Sequence, residues 1–295
     1  MIHSRRAWFV IAGAVLTPAS LAAQSGLRPA LQVRVLGGYV RPAAEQLSEA
    51  FQAYQAAETA GAALAADPVF RRGVARAVDG DDGFGGGVSA AVEIGAALPF
   101  GSGVRADGSA ERTVGLAVHL GYDRTEAAYS TEFSQGSSGG RDELLEAGRL
   151  MLVPSFDRSV GAWSVGFGGS AGALHVRYRS EQAAAIVGPS GNASVANGGF
   201  SGAFTTWGAG VFVQGGRQVR SGLGITARVG YEYVAPGELA VTGTDVDAAV
   251  RDQNRNPYPS RLGRPSGDGT LGAEPVEIDL SGLRLHVGLG YQLRI

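Results

Sequence analysis

The stretch Leu283–Ile295, LRLHVGLGYQLRI, alternates strictly between two kinds of side chain. The apolar positions are Leu283, Leu285, Val287, Leu289, Tyr291 and Leu293. The positions between them are polar or small: Arg284, His286, Gly288, Gly290, Gln292 and Arg294. Because successive side chains of a strand point to opposite faces, this period of two residues predicts a β-strand with one apolar side.

The same alternation recurs in pieces of about ten residues along the rest of the chain. Val88–Leu98 and Val114–Tyr122 repeat it, with Ser89, Glu93 and His119 on the less apolar face. Eight segments are predicted to be strands: Leu31–Val40, Gly87–Leu98, Thr113–Asp123, Glu146–Phe156, Ala162–Tyr178, Thr205–Gln218, Leu223–Val234 and Leu280–Arg294.

The connections between these segments alternate in length. Residues 99–112, 157–161 and 219–222 are short turns, whereas 41–86, 124–145, 179–204 and 235–279 are long. Short periplasmic turns that alternate with long extracellular loops, on an even number of antiparallel strands, are typical of bacterial outer-membrane barrels. The predicted fold is all-β: an eight-stranded antiparallel up-and-down transmembrane β-barrel in the cell outer membrane.

Aromatic residues gather at both ends of the predicted strands. Amphipathic rings favour the two interfaces of a membrane, so two aromatic girdles are predicted. The periplasmic girdle contains Phe100, Phe156, Trp163 and Tyr291. The extracellular girdle contains Tyr39, Tyr122, Tyr178, Trp207, Tyr231 and Tyr233.

Composition agrees with a chain that water does not fully solvate. Charged residues make up 18% of the 295 residues, below the roughly 25% of a soluble domain. The formal net charge of −2 gives no reason to expect a nucleic-acid partner. Every basic residue is Arg, a side chain suited to phosphate groups, and the absence of Cys leaves no disulfide or thiol chemistry.

Residues 1–23 are predicted to be a signal peptide. Arg5 and Arg6 precede the apolar run Trp8–Leu16, and Ala22 and Ala23 are small residues at the expected cleavage site. The two arginines leave open whether the general secretory route or the twin-arginine route exports the chain. The barrel is then expected to occupy residues 24–295.

Within the first long loop, 41–86, the period changes from two to between three and four residues. Leu47, Phe51, Tyr54 and Glu58 follow helical spacing, which predicts an amphipathic helix within 43–79 that ends before Pro68. A second helix is predicted over Val69–Val78. This helical insertion in the first extracellular loop is interpreted as a cap over the barrel, a binding surface or loop decoration.

By these features, and above all by the terminal strand Leu283–Ile295, the chain resembles the OmpA-like and OmpX-like families of small outer-membrane barrels. The resemblance implies that outer-membrane lipid, lipopolysaccharide and the barrel assembly machinery are its partners. Members of these families usually end on an aromatic residue, whereas Ile295 stands at that position here.

The less apolar strand faces should meet inside the barrel. Seven charged or titratable residues are predicted to form a polar network there: Arg34, Glu93, His119, Arg228, Glu232, Arg284 and His286. An eight-stranded barrel is only wide enough for side chains to fill, so these charges should pair, with Arg34 opposite Glu93. The alternative is an acid–base dyad of His119 or His286 with Glu93.

No arrangement in the sequence predicts catalysis, a metal or a cofactor. The triplets that begin at His119, His175 and His286 do not match the His-x-Ser motif of lipid A deacylases. Asp79, Asp81 and Asp82 lack the full spacing of a calcium loop. The polar loop 235–279, with Asp245, Asp247, Asp252 and Asn254, is interpreted as a solvated extracellular loop.

The predicted function is therefore that of a non-enzymatic protein of the bacterial envelope, whose extracellular loops contact surface ligands or partners. The first alternative is a narrow OmpW-like pore for small apolar molecules. A lipid-modifying barrel enzyme and a soluble lipocalin-like barrel remain open as less favoured classes. A soluble barrel should carry many charges on its outer face, which the apolar faces here lack.

Overall fold

A computed structural model describes residues 29–64, 75–100, 112–187, 193–238, 241–244 and 277–294. The predicted signal peptide at 1–23 lies outside these ranges, as do the four polar residues of the last long loop, Asp245, Asp247, Asp252 and Asn254.

The described chain is almost entirely β-structure, with one helix, α1 (Glu45–Leu64). The strands are β1 (Ala30–Pro42), β2 (Ala75–Gly80), β3 (Gly87–Pro99), β4 (Arg112–Phe133), β5 (Ser138–Val160), β6 (Trp163–Val187), β7 (Ala193–Arg220), β8 (Leu223–Val234), β9 (Gly237–Glu238), β10 (Val241–Thr244), β11 (Glu277–Ile278) and β12 (Gly282–Arg294).

Eight of these strands form a closed antiparallel ring in the order β1-β3-β4-β5-β6-β7-β8-β12, and β12 pairs back to β1. The register from Arg34 leads one way around the ring to Gly208 and the other way to Gln218, a stagger of ten residues on β7. A ring of this size and stagger has strands tilted by about 40° to its axis. The predicted eight-stranded up-and-down antiparallel barrel is thereby confirmed.

One end of the ring, here called the lower end, is closed by tight turns. β5 is joined to β6 by Gly161 and Ala162, and β7 is joined to β8 by Ser221 and Gly222. Gly161 and Gly222 have φ of +63° and +77°, a left-handed conformation that glycine adopts without steric cost.

At the opposite, upper end, four strands continue far beyond the others. The predicted long loops 124–145 and 179–204 are wrong in large part, because β4–β5 and β6–β7 extend as paired strands through most of them. The alternation persists there but its polarity reverses: Ala127, Tyr129 and Phe133 face inward and are buried, whereas Glu126 and Ser130 face outward. The predicted strands end where the outward face becomes polar.

The upper parts of β4–β7 form an extended wall, and helix α1 lies against its inner side. Leu47, Ala50, Phe51 and Tyr54 are spaced so that they share one helix face, and all four are fully buried. They pack in one apolar cluster with the wall residues Ala127, Tyr129, Leu145, Ala147, Val176 and Tyr178. The second helix predicted at Val69–Val78 is wrong where the structure describes it, since Ala75–Gly80 is strand β2, paired with β4.

Candidate functional site

The outer face of the ring carries a continuous apolar band. On β8 and β12 the outward residues are Leu223, Ile225, Ala227, Val229, Tyr231, Tyr233, Leu283, Leu285, Val287, Leu289, Tyr291 and Leu293. Ten residues separate Leu223 from Tyr233, which at about 3.3 Å per residue and a tilt of about 40° is a height of about 25 Å. Large apolar side chains at these positions are half exposed, for example Val287 at 52%.

Outward aromatic rings border the apolar band at both ends. The lower belt contains Phe100, Phe156, Trp163 and Tyr291, and the upper belt contains Tyr39, Tyr122, Trp207, Tyr231 and Tyr233. Phe156 packs between Phe100 and Phe167, with ring centroids 6.4 and 5.5 Å away. Arg217 lies outward at the level of the lower belt, with its guanidinium 5.2 Å above the Trp163 ring, and the described outward side chains between the two belts are uncharged.

Tyr178 does not belong to the upper belt, and its assignment to the extracellular girdle is wrong. Its side chain faces inward and is 2% exposed, because even-numbered residues at this end of β6 point into the barrel. The outward residues beside it on β6 are His175, Arg177 and Arg179, all exposed. Above the upper belt the outer face of β4–β6 is therefore polar.

Inside the ring, a lower group of polar side chains centres on Glu93. Arg228 binds its carboxylate with both terminal nitrogens, at 2.5 and 3.0 Å, and Arg34, the register partner of Glu93, lies 3.4 Å away. His119 Nδ1 lies 3.1 Å from the same carboxylate. Glu93 is 1% exposed, so one buried carboxylate is held between two guanidinium groups and an imidazole.

An upper group of four charges lies closer to the helix. Arg149 donates to Glu232 at 2.6 and 2.7 Å and to Asp123 at 2.5 Å. Arg284 donates to Asp123 at 2.9 Å, and its Nε lies 3.3 Å from Glu232. All four side chains are less than a tenth exposed. Two cations and two anions thus form a closed ring of buried pairs. Each charge has partners of opposite sign, which a charge buried in a low-dielectric interior needs.

His286 and Ser89 connect the two groups. The ring of His286 lies 6.4 Å from that of His119, and Ser89 Oγ donates to Asp123 at 2.7 Å. Since the hydroxyl has one proton, His286 Nε2, 2.9 Å away, must donate to Ser89 rather than accept from it. An imidazole in this tautomer cannot take the serine proton, so the geometry does not activate Ser89 as a nucleophile.

All seven predicted lumen residues therefore lie inside the ring, in contact with one another or with these partners. Asp123, Arg149 and Ser89 also belong to the network, although they are not among the seven residues predicted from the sequence. Arg149 was obscured because its inward neighbours Met151 and Val153 are apolar, so β5 has no clean polar face.

A small void, here called the lumen cavity, lies between the two groups. Its volume is ≈ 40 Å³, enough for about three water molecules. The polar side chains around it include Ser89, His119, Arg149, Arg228, Arg284 and His286. Met151, Val153 and Phe212 close its other side, and the guanidinium of Arg228 stacks 4.0 Å above the Phe212 ring.

At the upper mouth a further buried ion pair anchors the helix. Arg141 Nε lies 2.6 Å from Glu143, and its guanidinium stacks 4.2 Å above the Tyr54 ring of α1. Both charged side chains are 0% exposed and lie well above the upper belt. Burial raises the pKa of Glu143 and, together with the Glu143 charge, that of Tyr178. The cation–π contact ties the helix to the wall.

Further hydrogen bonds lie around the upper mouth. Ser48 Oγ accepts a hydrogen bond from the Phe84 backbone at 3.0 Å, and Gln46 accepts one from Glu277 of β11 at 3.2 Å. The Asp81 carboxylate accepts a hydrogen bond from the Ala128 backbone N–H at 2.9 Å and so stabilises the extended wall. No cluster of three or more His, Asp or Glu side chains within the described residues has the geometry of a metal site.

Comparison with known proteins does not show which family the chain belongs to. No family model matches it, and no curated protein matches it. The solved crystal structure of Neisserial surface protein A is similar at 10% identity over 89% of this chain and 96% of that chain, with a TM-score of 0.32. Within the described residues, no helix has the length and apolarity needed to cross a bilayer.

Proposed function

We propose that this chain is an outer-membrane β-barrel protein of the bacterial envelope, with a sealed lumen, that acts through its extracellular half. The observation that carries the proposal is the reversal of polarity along β4–β6. Below the upper belt the outward side chains are apolar, and above it they are polar while apolar ones turn inward. One wall of strands is thus suited to two solvents, lipid below and water above.

The dimensions of the apolar band support the same proposal. Its height of about 25 Å and its two aromatic belts match the outward band of outer-membrane barrels. In this orientation the lower turns at Gly161 and Gly222 face the periplasm, and α1 with the extended wall faces outward. Outer-membrane lipid and lipopolysaccharide would surround the band, and the barrel assembly machinery would insert the chain.

We favour a non-conducting, non-enzymatic protein over the narrow-pore alternative. The buried pairs of Glu93, Asp123 and Glu232 cross the lumen, and α1 packs against the inner side of the wall above them. The lumen cavity, with a volume of ≈ 40 Å³, is too small for an apolar solute. In planar bilayers the protein should show no discrete conductance steps; stable channels in the folded parent would contradict a sealed lumen.

The membrane part of the proposal can be tested with single cysteines, because the chain has no native Cys. Leu120→Cys and Ser130→Cys lie on the same face of β4, ten residues apart, and both positions are exposed. Each is labelled with an environment-sensitive fluorophore in lipid vesicles. The label at 120 should be quenched by lipids brominated in their acyl chains, and the label at 130 by aqueous iodide.

A soluble barrel predicts the opposite pattern for position 120. Iodide would then quench both labels alike, and brominated lipid would quench neither. The two positions share strand, face and exposure, so a difference between them reports depth in the bilayer. Unlabelled parent protein in the same vesicles provides the baseline for the intrinsic fluorescence.

A further inference from the structure

The wall of the lumen cavity is positively charged on one side. Arg149, Arg228 and Arg284 line it, with side chains that are 3%, 7% and 8% exposed. Of the carboxylates that pair with them, Glu232 lines the cavity, whereas Glu93 and Asp123 do not. Three guanidinium groups and one carboxylate therefore face the same small void.

Two of these guanidinium groups also keep one unmatched donor. Arg149 Nη2 and Arg228 Nε are buried and have no hydrogen-bond acceptor among the described residues, whereas Arg284 Nε has only the contact of 3.3 Å with Glu232, outside hydrogen-bond geometry. Buried donors are matched in the great majority of native structures, so unmatched N–H groups on two residues that line one void call for a partner there. That partner has to be an acceptor, because a guanidinium group only donates.

The positive character is local to the cavity. Over the whole lumen Arg34 adds a fourth cation, and Asp157 at the lower end, which accepts from Gln214 at 2.6 Å, adds a fourth anion. Among the described residues the charges of the lumen are thus balanced. In a low-dielectric interior the three guanidinium groups that line the cavity attract an anion, and one carboxylate that lines it, Glu232, repels it.

From this arrangement we infer that the lumen cavity holds a small monovalent anion of the size of chloride. A volume of ≈ 40 Å³ accommodates such an ion with a water molecule but excludes gluconate. A divalent anion would pay a much larger desolvation cost in the same place. The His286 imidazole, which donates to Ser89, adds no charge in its neutral form. The inference depends on the lumen alone and not on the membrane proposal.

The test exchanges gluconate for chloride or bromide at constant ionic strength and follows the thermal unfolding midpoint of refolded protein in detergent. A ligand that binds only the folded barrel should raise the midpoint in a saturable way. Ser170→Val fills the cavity, which Ser170 lines, with an apolar side chain. Ser164→Val is the matched control, because it makes the same change on the same inward face of β6 without lining the cavity.

The parent and Ser164→Val should show the halide-dependent rise, and Ser170→Val should lose it. A midpoint that is equal in gluconate and chloride, or a rise that Ser170→Val retains, would overturn the inference. Bromide-soaked crystals of the parent give a second measurement that does not depend on any variant folding. An anomalous peak in the lumen cavity is expected, and water alone at that position would contradict the anion.

Discussion

Replacing Phe51 by Ala should release helix α1 from the mouth of the barrel. Phe51 is 0% exposed and meets Tyr129 and Phe84 edge-on, at centroid distances of 5.3 and 6.4 Å. Truncating a buried Phe to Ala costs about 3–5 kcal/mol, including the cavity it leaves. Each lost edge contact accounts for about 0.5–1.5 kcal/mol of that cost. Since docked segments open with free energies below that of global unfolding, this loss is large enough to undock the helix.

Hydrogen exchange measured by mass spectrometry separates the helix from the barrel. In Phe51→Ala the amides of α1 should exchange much faster than in the parent, while those of β12 stay protected. Gln52→Ala is the control: it removes an exposed side chain that bonds the Asp82 backbone, at a cost of about 1 kcal/mol or less. Equal exchange in the two variants, or an unprotected α1 in the parent, would refute the docked helix.

Two further predictions concern the closed ring and its buried charges. The folded protein should migrate differently in SDS gels before and after boiling, because a closed barrel pairs its backbone within itself; identical mobility in protein shown to be folded by circular dichroism would count against closure. Glu232→Gln should cost about 3–5 kcal/mol in urea unfolding, since it leaves Arg149 and Arg284 buried with weaker partners. The same change at Glu126, whose pair with Arg124 is half exposed, should cost at most about 1 kcal/mol, and similar losses at both sites would refute a buried network.

Alternation in the sequence predicts the ring because one physical rule governs most of it. Wherever outward-facing and inward-facing residues differ in polarity, as in Leu283–Leu293, the period of two identifies both the strand and its inward face. The pairing of Arg34 with Glu93 followed from that rule, and the register places these residues directly opposite each other. Inward parity also located His119 and His286 in the lumen.

The alternation does not identify the inward face where the outside of the barrel is polar. Above the upper belt the outside is polar and the inside apolar, so Tyr129 and Tyr178 look like surface or girdle residues until α1 is known to pack against them. The helix itself is visible in the spacing of Leu47, Phe51 and Tyr54, but its docking partner lies about 75 to 125 residues further along the chain, and no local pattern encodes that contact.

The central claim, that lipid solvates the outer face of this barrel, is tested most directly by an Arg placed at two depths of β12. Val287 and Leu293 are both outward and almost equally exposed, at 52% and 49%, so burial by protein does not distinguish them. Val287 lies in the middle of the apolar band, and Leu293 at its lower edge.

Unfolding in lipid vesicles should show that Val287→Arg costs about 2–4 kcal/mol, as expected for a guanidinium near the midplane. Leu293→Arg should cost at most about 1 kcal/mol, because its side chain can reach water at the membrane boundary. Equal losses at the two positions would contradict the claim, since two equally exposed sites differ only if the solvent around them does.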